Sequence, residues 1–297
     1  MKIKDDSYML LFRIIAFVVI LLTSVACLFP FLLIVSASFT QNESILRDGY
    51  HLIPQVFSLE GYSTVLRFPQ QVINAYTVTI ITTVVGTFLG LFFITMAGYV
   101  LQRRDFKYRN FFSFFIYFTT LFGGGLVPWY IMLTKYLQLT DTYAVLILPG
   151  LMTPFLIILM KNFIRSAVPD EVTESAKIDG ANDFTIYARI VLQLSMPGIA
   201  TVGLFLALAY WNDWFTSSLF INDTTMYQLQ YYLYNIINAM SFLSQMGAGT
   251  GVSLGGDMPM ESTKMAMAII VTGPILFLYP FVQRYFVKGL TIGAVKG

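Results

Sequence analysis

Six mostly apolar stretches of the chain contain no Asp, Glu, Lys or Arg: Ile14 to Thr40, Phe68 to Gln102, Asn110 to Thr134, Thr142 to Met160, Ile190 to Asn212 and Met265 to Gln283. Each reaches the roughly 18 to 20 residues that a helix needs to cross a ~30 Å hydrocarbon core. A charge near the bilayer centre costs at least ~2.5 to 3.5 kcal/mol on the insertion scale. Here all 18 basic and 16 acidic residues lie outside the six runs. The pattern predicts an all-α, polytopic membrane protein with six transmembrane helices, residues 1–297 forming one transmembrane domain. Composition agrees, since 57% hydrophobic and 11% charged residues with a mean hydropathy of +0.70 depart from the soluble norm.

With six spans both termini share a side, and the basic residues distinguish the two sides. Lys2, Lys4, Arg13, Arg103, Arg104, Lys107, Arg109, Lys161, Arg165, Lys177, Arg189, Arg284, Lys288 and Lys296 fall on the terminal side. Only Arg47, Arg67, Lys135 and Lys264 fall opposite. The positive-inside rule then makes both termini cytoplasmic. A net charge of +2 gives no hint of nucleic-acid binding. Cys27, the one cysteine, lies within the first apolar run, which excludes an intrachain disulfide and a thiolate metal site. Ser24 to Cys27 faintly resembles a lipoprotein cleavage box, but apolar sequence continues through Ile34, as in an uncleaved first span.

Enzyme parts are missing as well. His51 is the sole histidine, no metal-ligand spacing occurs, and neither Gly123 nor Gly247 opens a stretch ending in Gly-Lys-Ser/Thr. No cofactor or metal is expected on this chain.

The segment 161–193, between runs four and five, is too patterned to be a tether. Pro169 suits a first helical position, Asp170, Glu171 and Glu174 place negative charge near a helix N-terminus, and Gly180 supplies a left-handed stop. This predicts a helix from about Pro169 to Asp179. Asn182 or Asp183 then caps a second helix carrying Phe184, Ile186, Tyr187, Ile190 and Val191. Glu174-Ser175-Ala176-Lys177-Ile178-Asp179-Gly180-Ala181, followed by Ile190 and Leu192, resembles the EAA loop of ABC importer permeases. Three further stretches resemble the carbohydrate branch of that family, similar to the second permease of maltose-type transporters and most like the subgroup for complex oligosaccharides. They are Gly123 to Pro128 with Leu148 to Gly150, Tyr210 to Phe215, and Gln283 to Thr291. The chain departs from the family pattern at Gln193, where proline is usual, with Pro197 standing four residues on.

The resemblance implies a bacterial inner-membrane, multi-pass permease subunit that imports an oligosaccharide by alternating access. It implies a homologous permease partner, two cytoplasmic ATPase subunits that use ATP and Mg, and an extracytoplasmic sugar-binding protein. In that family the EAA loop forms a coupling helix seated in the ATPase. Carried over residue by residue, this assigns ATPase coupling to Glu174, Ser175, Ala176, Asp179, Gly180 and Ala181, with Glu174 as the ionic contact and Asp179-Gly180 setting the turn.

A sugar path needs aromatic faces for pyranose rings and amide or hydroxyl groups for their hydroxyls. Tyr210, Trp211, Asn212, Asp213 and Trp214 supply that mixture at the outer end of run five, and Asn74 with Tyr76 and Thr77 near the outer end of run two can face them. An interfacial aromatic belt competes for these positions; the belt reading is preferred for Tyr76, the pore reading for Trp211 and Asn212. The segment 213–264 is expected to be an extracytoplasmic loop, polar and rich in Tyr, Asn, Gln and Gly. Gly and Pro within the runs permit kinks and close helix approach, although both are simply commoner in membrane helices. Two rival functions stay open at this point. A secondary transporter of a small polar solute would normally show an intramembrane ion-coupling group or an internal repeat, and neither is seen. A membrane scaffold would use the same loop only as an adaptor.

Overall fold

A computed structural model describes residues 7–250 and 259–294. Lys2, Lys4, Lys296 and the 251–256 part of the glycine-rich stretch lie outside the described residues. In chain order the helices are α1 (Ser7–Ser38), α2 (Asn42–Asp48), α3 (Glu60–Val65), α4 (Pro69–Gln102), α5 (Arg109–Leu121), α6 (Leu126–Ile131), α7 (Tyr143–Ile147) and α8 (Pro154–Ala167). They continue as α9 (Asp170–Ile178), α10 (Asp183–Ile186), α11 (Leu192–Leu194), α12 (Met196–Trp211), α13 (Phe215–Phe220), α14 (Leu229–Thr250) and α15 (Met260–Ala294). A π-turn, Tyr187–Val191, makes α10 and α11 continuous. No strand forms among the described residues, where Thr40 and Phe57 make an isolated bridge.

Three straight segments are long and apolar enough to cross a bilayer: Met9–Ser38, Pro69–Gln102 and Met260–Phe277. Three bent pairs reach the same standard together: Arg109–Leu121 with Leu126–Tyr136 (110°), Tyr143–Gly150 with Pro154–Ala167 (50°), and Asp183–Leu194 with Met196–Trp211 (82°). Each bend has a local cause. Gly123, Gly124 and Gly125 separate the first pair, with Gly125 at φ 86°, a left-handed conformation natural only to glycine. Pro154, at the N-terminus of α8, follows the second break. In the third, the helix runs through Gln193 and breaks at Ser195, because Pro197 in the first turn of α12 has no N–H to continue the ladder. The bend associated with the usual proline position is thus supplied a few residues later.

The chain divides into two compact units, Met1–Pro69 with Asn235–Gly273 and Gln70–Tyr234 with Pro274–Gly297. In the first, the segment after α1 folds onto the start of α15. Asn42 Oδ1 accepts from the Glu261 N–H at 2.8 Å, Tyr50 donates to the Glu261 carboxylate at 2.9 Å, and Gly61 lies against the Ser262 backbone, where a Cβ would approach within 2.6 Å of the carbonyl oxygen.

In the second unit, α4, α8, α12 and the Ile186–Val191 stretch share one apolar core containing Ile94, Met160, Ile164, Ile186, Val191, Val202 and Leu206. Glycine permits the approach: a Cβ on Gly86 would stand 2.5 Å from the Tyr210 ring. At this position, close packing and not background frequency accounts for the glycine. A second, polar tie is centred on Gln228, which is fully buried. Its Oε1 accepts from Ser217 at 2.8 Å and its Nε2 donates to Thr82 Oγ1 at 3.2 Å, while the next N–H, that of Leu229, donates to Thr79 at 2.8 Å.

The Asp213 to Lys264 segment, expected from its composition to be a polar loop, carries helices among its described residues. It contains α13, α14 and the start of α15. Leu229, Leu233, Ile236, Met240 and Leu243 recur at intervals of three and four and give α14 an apolar stripe that its Tyr and Asn content conceals.

Candidate functional site

Two places bring the singled-out residues together. The first is the segment 161–193. Its helix α9 begins at Asp170, one residue later than expected, with Pro169 extended at the cap position (ψ 144°). Asp170 and Glu171 occupy its first turn, where the helix dipole favours carboxylates. The helix closes by two reversed hydrogen bonds, Ala181 N–H to the Ala176 carbonyl at 2.9 Å and Gly180 N–H to the Lys177 carbonyl at 3.0 Å, with Gly180 at φ 83°. This is the glycine-terminated stop that the Asp179-Gly180 pair predicts. Asn182, the first of the two candidate caps, accepts the Thr185 N–H at 2.8 Å and opens α10. That leaves Asp183 to pair with Arg103 at 2.8 Å.

The two faces of this helix–turn–helix differ. Ala176 and Ala181 pack inward against the apolar core. Ile186 and Tyr187 are buried deeper, the Tyr187 hydroxyl lying 2.6 Å from Thr95 Oγ1 on α4. Glu174, Ser175, Asp179 and Gly180 face outward, and Glu174 makes no side-chain hydrogen bond or ion pair among the described residues. Beside them Ile178 is 86% exposed and Phe184 66% exposed. Ile178 is thus a large apolar side chain held in water at the end of a well-terminated helix. Its place on the outer face follows from helical spacing: Ile178 stands four residues after Glu174, whereas Ala176 points the other way.

Charged contacts hold the knob. Asp105, in the connection after α4, accepts from Lys177 at 2.7 Å and pairs with Arg103; Arg104 pairs with Asp170 at 2.8 Å. Arg103, and then Lys177, hold the Asp105 carboxyl well below the usual carboxylate range. Arg103 also lies over the Tyr99 ring, 5.6 Å from its centroid. The Arg103–Asp105 pair is local, two residues apart, but 72 positions separate Lys177 from Asp105, and that partnership is invisible in local sequence.

The second place is a cavity of about 420 Å³ bounded by α7, the Pro149-Gly150 turn, α12 and α13. Tyr210, Asn212, Asp213 and Trp214 line it. Tyr210 is buried and donates to the Ile147 carbonyl at 2.8 Å, so its hydroxyl is already engaged. Asn212 accepts from Gln230 at 3.1 Å, and Asp213 accepts the Thr216 N–H, in the first turn of α13, at 3.0 Å. The Trp214 ring is exposed and stacks on Tyr234, with centroids 4.8 Å apart; Tyr231 stacks in turn on Tyr234 at 6.4 Å. Trp211 is buried and does not line the cavity. Asn74, which accepts from Gln70 at 2.8 Å on α4, does not join it either. The Tyr231–Tyr234 extension lies on α14, the helix whose apolar stripe its Tyr and Asn residues conceal.

Residues 90–292 match the family described as binding-protein-dependent transport system inner membrane component. The chain is 37% identical over 292 residues to the polygalacturonan/rhamnogalacturonan transport system permease protein YtcP of Bacillus subtilis, covering 97% of this chain and 99% of the relative. It is 40% identical over 269 residues to Protein LplC of the same organism, covering 90% and 89%. A solved chain of a bacterial ABC transporter involved in import of the acidic polysaccharide alginate superposes with a TM-score of 0.81 at 27% identity, covering 95% of this chain and 98% of that one.

Proposed function

The chain belongs to the family of binding-protein-dependent transport system inner membrane components, and from that premise we propose how its two sites serve import. It is a membrane permease subunit of an ATP-driven importer for an oligosaccharide and is not itself an enzyme; ATP hydrolysis belongs to separate subunits.

Six spans cross the membrane, each bent helix pair counting as one, with both termini cytoplasmic and residues 1–297 acting as one permease domain. Residues 161–193 are the cytoplasmic coupling loop, and residues 213–264 lie on the extracytoplasmic side. Two ATPase subunits using ATP and Mg, a homologous permease and an extracytoplasmic sugar-binding protein complete the assembly. The observation that carries this reading is the exposed Ile178 and Glu174 on a knob whose other face, through Ile186 and Tyr187, is embedded in the core of α4, α8 and α12. Closure of an ATPase around the knob would be transmitted as tilt of those helices, because packed interfaces move as units. Glu174, Ser175, Asp179 and Gly180 form the docking face, while Ala176 and Ala181 hold it to the core.

The cavity beneath Trp214 is the sugar path on this subunit. The Trp214 face suits a pyranose ring, and the Asn212 amide and Asp213 carboxylate provide polar partners. Tyr210 shapes the wall.

The test is purification of the tagged chain in mild detergent, followed by reconstitution with whatever co-purifies. A second permease and an ATPase should be recovered, and uptake of an oligogalacturonide, delivered with the binding protein, should require ATP hydrolysis. A chain that transports alone contradicts the proposal and restores the secondary-transporter alternative.

A further inference from the structure

A cavity of about 640 Å³ opens where the end of α4, the start of α5 and the last turns of α8 meet, bordered by Pro169 and Asp170. Four cations line it: Arg104, Arg109, Lys161 and Arg165. Arg104 is balanced by Asp170. The other three have no acidic partner among the described residues. Lys161 donates to Ser113 Oγ at 2.9 Å. Glu171, also on the wall, is exposed and makes no ion pair with them.

Arg109 is the first residue of α5, whose first turn contains no acidic side chain. A cation at the positive end of a helix is electrostatically misplaced unless an anion sits beside it. Three unmatched cations converging on one hollow therefore describe an anion site. The remainder of α5 indicates which anion. None of its residues is buried, and Phe111, Phe114, Phe115 and Phe118 are all exposed along its length. Such a surface suits hydrocarbon.

We infer that this cavity binds the phosphate of an anionic membrane phospholipid, through Arg109, Lys161 and Arg165, with the acyl chains lying along α5. The inference rests on the orientation proposed above, which puts the cavity at the cytoplasmic leaflet, where anionic headgroups gather. The headgroup would brace the junction from which the coupling loop departs at Pro169.

The test uses the purified transporter in detergent, offered equal amounts of phosphatidylglycerol and phosphatidylcholine, with retained lipid counted by native mass spectrometry. Phosphatidylglycerol should be retained in preference. Arg165→Gln and Lys161→Gln should each weaken retention about fivefold, and Arg67→Gln should not. Arg165 is exposed, so its variant separates loss of the site from loss of folding. Equal retention of both lipids, or indifference to both variants, would overturn the proposal. Displacement of the lipid by excess inorganic phosphate would overturn the lipid assignment in favour of a free anion. Loss of the ATPase with Arg165→Gln at unchanged lipid retention would show a protein contact instead. Orientation is checked separately, by labelling Arg104→Cys in a Cys27→Ser background with an impermeant maleimide. Labelling from outside the cell would reject the orientation while leaving the detergent result standing.

Discussion

Lys177 on α9 donates to Asp105, in the connection after α4, at 2.7 Å, and so ties α9, the proposed docking helix, to the end of α4. Both side chains are partly exposed, and isolated pairs of that kind contribute only ~0.2 to 1 kcal/mol to stability. Lys177→Ala should therefore leave thermal unfolding nearly unchanged. Its expected effect is on coupling: ATP hydrolysed per sugar imported should rise in proteoliposomes. The swap Lys177→Asp with Asp105→Lys should restore part of the ratio, and a ratio unchanged in Lys177→Ala would remove the pair from the mechanism.

The same pair fixes a pH dependence. Because Arg103 and Lys177 lower the folded-state pKa of Asp105, its contribution is fully present above the unfolded carboxylate value of about 3.9 and is lost as pH falls through the folded value. The coupling ratio should thus be flat from about pH 5 upward as far as Asp105 is concerned. A titration centred near pH 5 that Asp105→Asn abolishes would contradict this assignment.

Gly180 sits at φ 83° with open space where a Cβ would be, so substitution there meets a backbone penalty and no clash. Gly180→Ala should cost about 1 kcal/mol and misdirect α10. Gly180→Asn, which tolerates the left-handed region, should retain more transport than Gly180→Ala. Equal loss in both would point to a contact made by the glycine itself.

Gln228→Leu removes the partners of Ser217 and Thr82 inside the second unit. Leaving buried polar groups unpaired costs ~1 to 3 kcal/mol, so the melting temperature in detergent should fall. Gln228→Glu should fall further, because it buries a carboxyl group among donors too few to satisfy it. A neutral outcome for Gln228→Leu would mean that Ser217 finds another acceptor and Thr82 another donor.

Much of this architecture is legible in the residues. Charge-free runs mark the membrane helices because charge is costly in hydrocarbon, and Asp179-Gly180-Asn182 spells out a stop and a start by local backbone chemistry. Three things escape a linear reading. The contact of Asp105 with Lys177 is long-range. The helix α14 hides its stripe among tyrosines and asparagines. The outward face of α9 is set by which side packs on the core, so Ile178 looks like any apolar helix residue until Ala176 is found facing inward. At the proposed sugar path, Trp211 and Asn74 carry suitable chemistry, but Trp211 is buried and neither residue lines the cavity.

Trp214 offers its ring beside the cavity while stacking on Tyr234. Trp214→Ala should raise the sugar concentration for half-maximal uptake, and Trp214→Phe should preserve most of the affinity. Tyr210→Phe, which removes only the hydroxyl bonded to Ile147, should affect stability more than uptake.

The most direct test of the account is recovery of the ATPase subunits with tagged chains carrying Ile178→Ser. Ile178 is 86% exposed, so the substitution should not disturb folding, membrane insertion or melting temperature. Sharply reduced recovery of the ATPase with a normally folded permease is the expected result. Full recovery of the ATPase with Ile178→Ser, and again with Ile178→Ser combined with Glu174→Ala, would contradict the claim that this knob is the docking face.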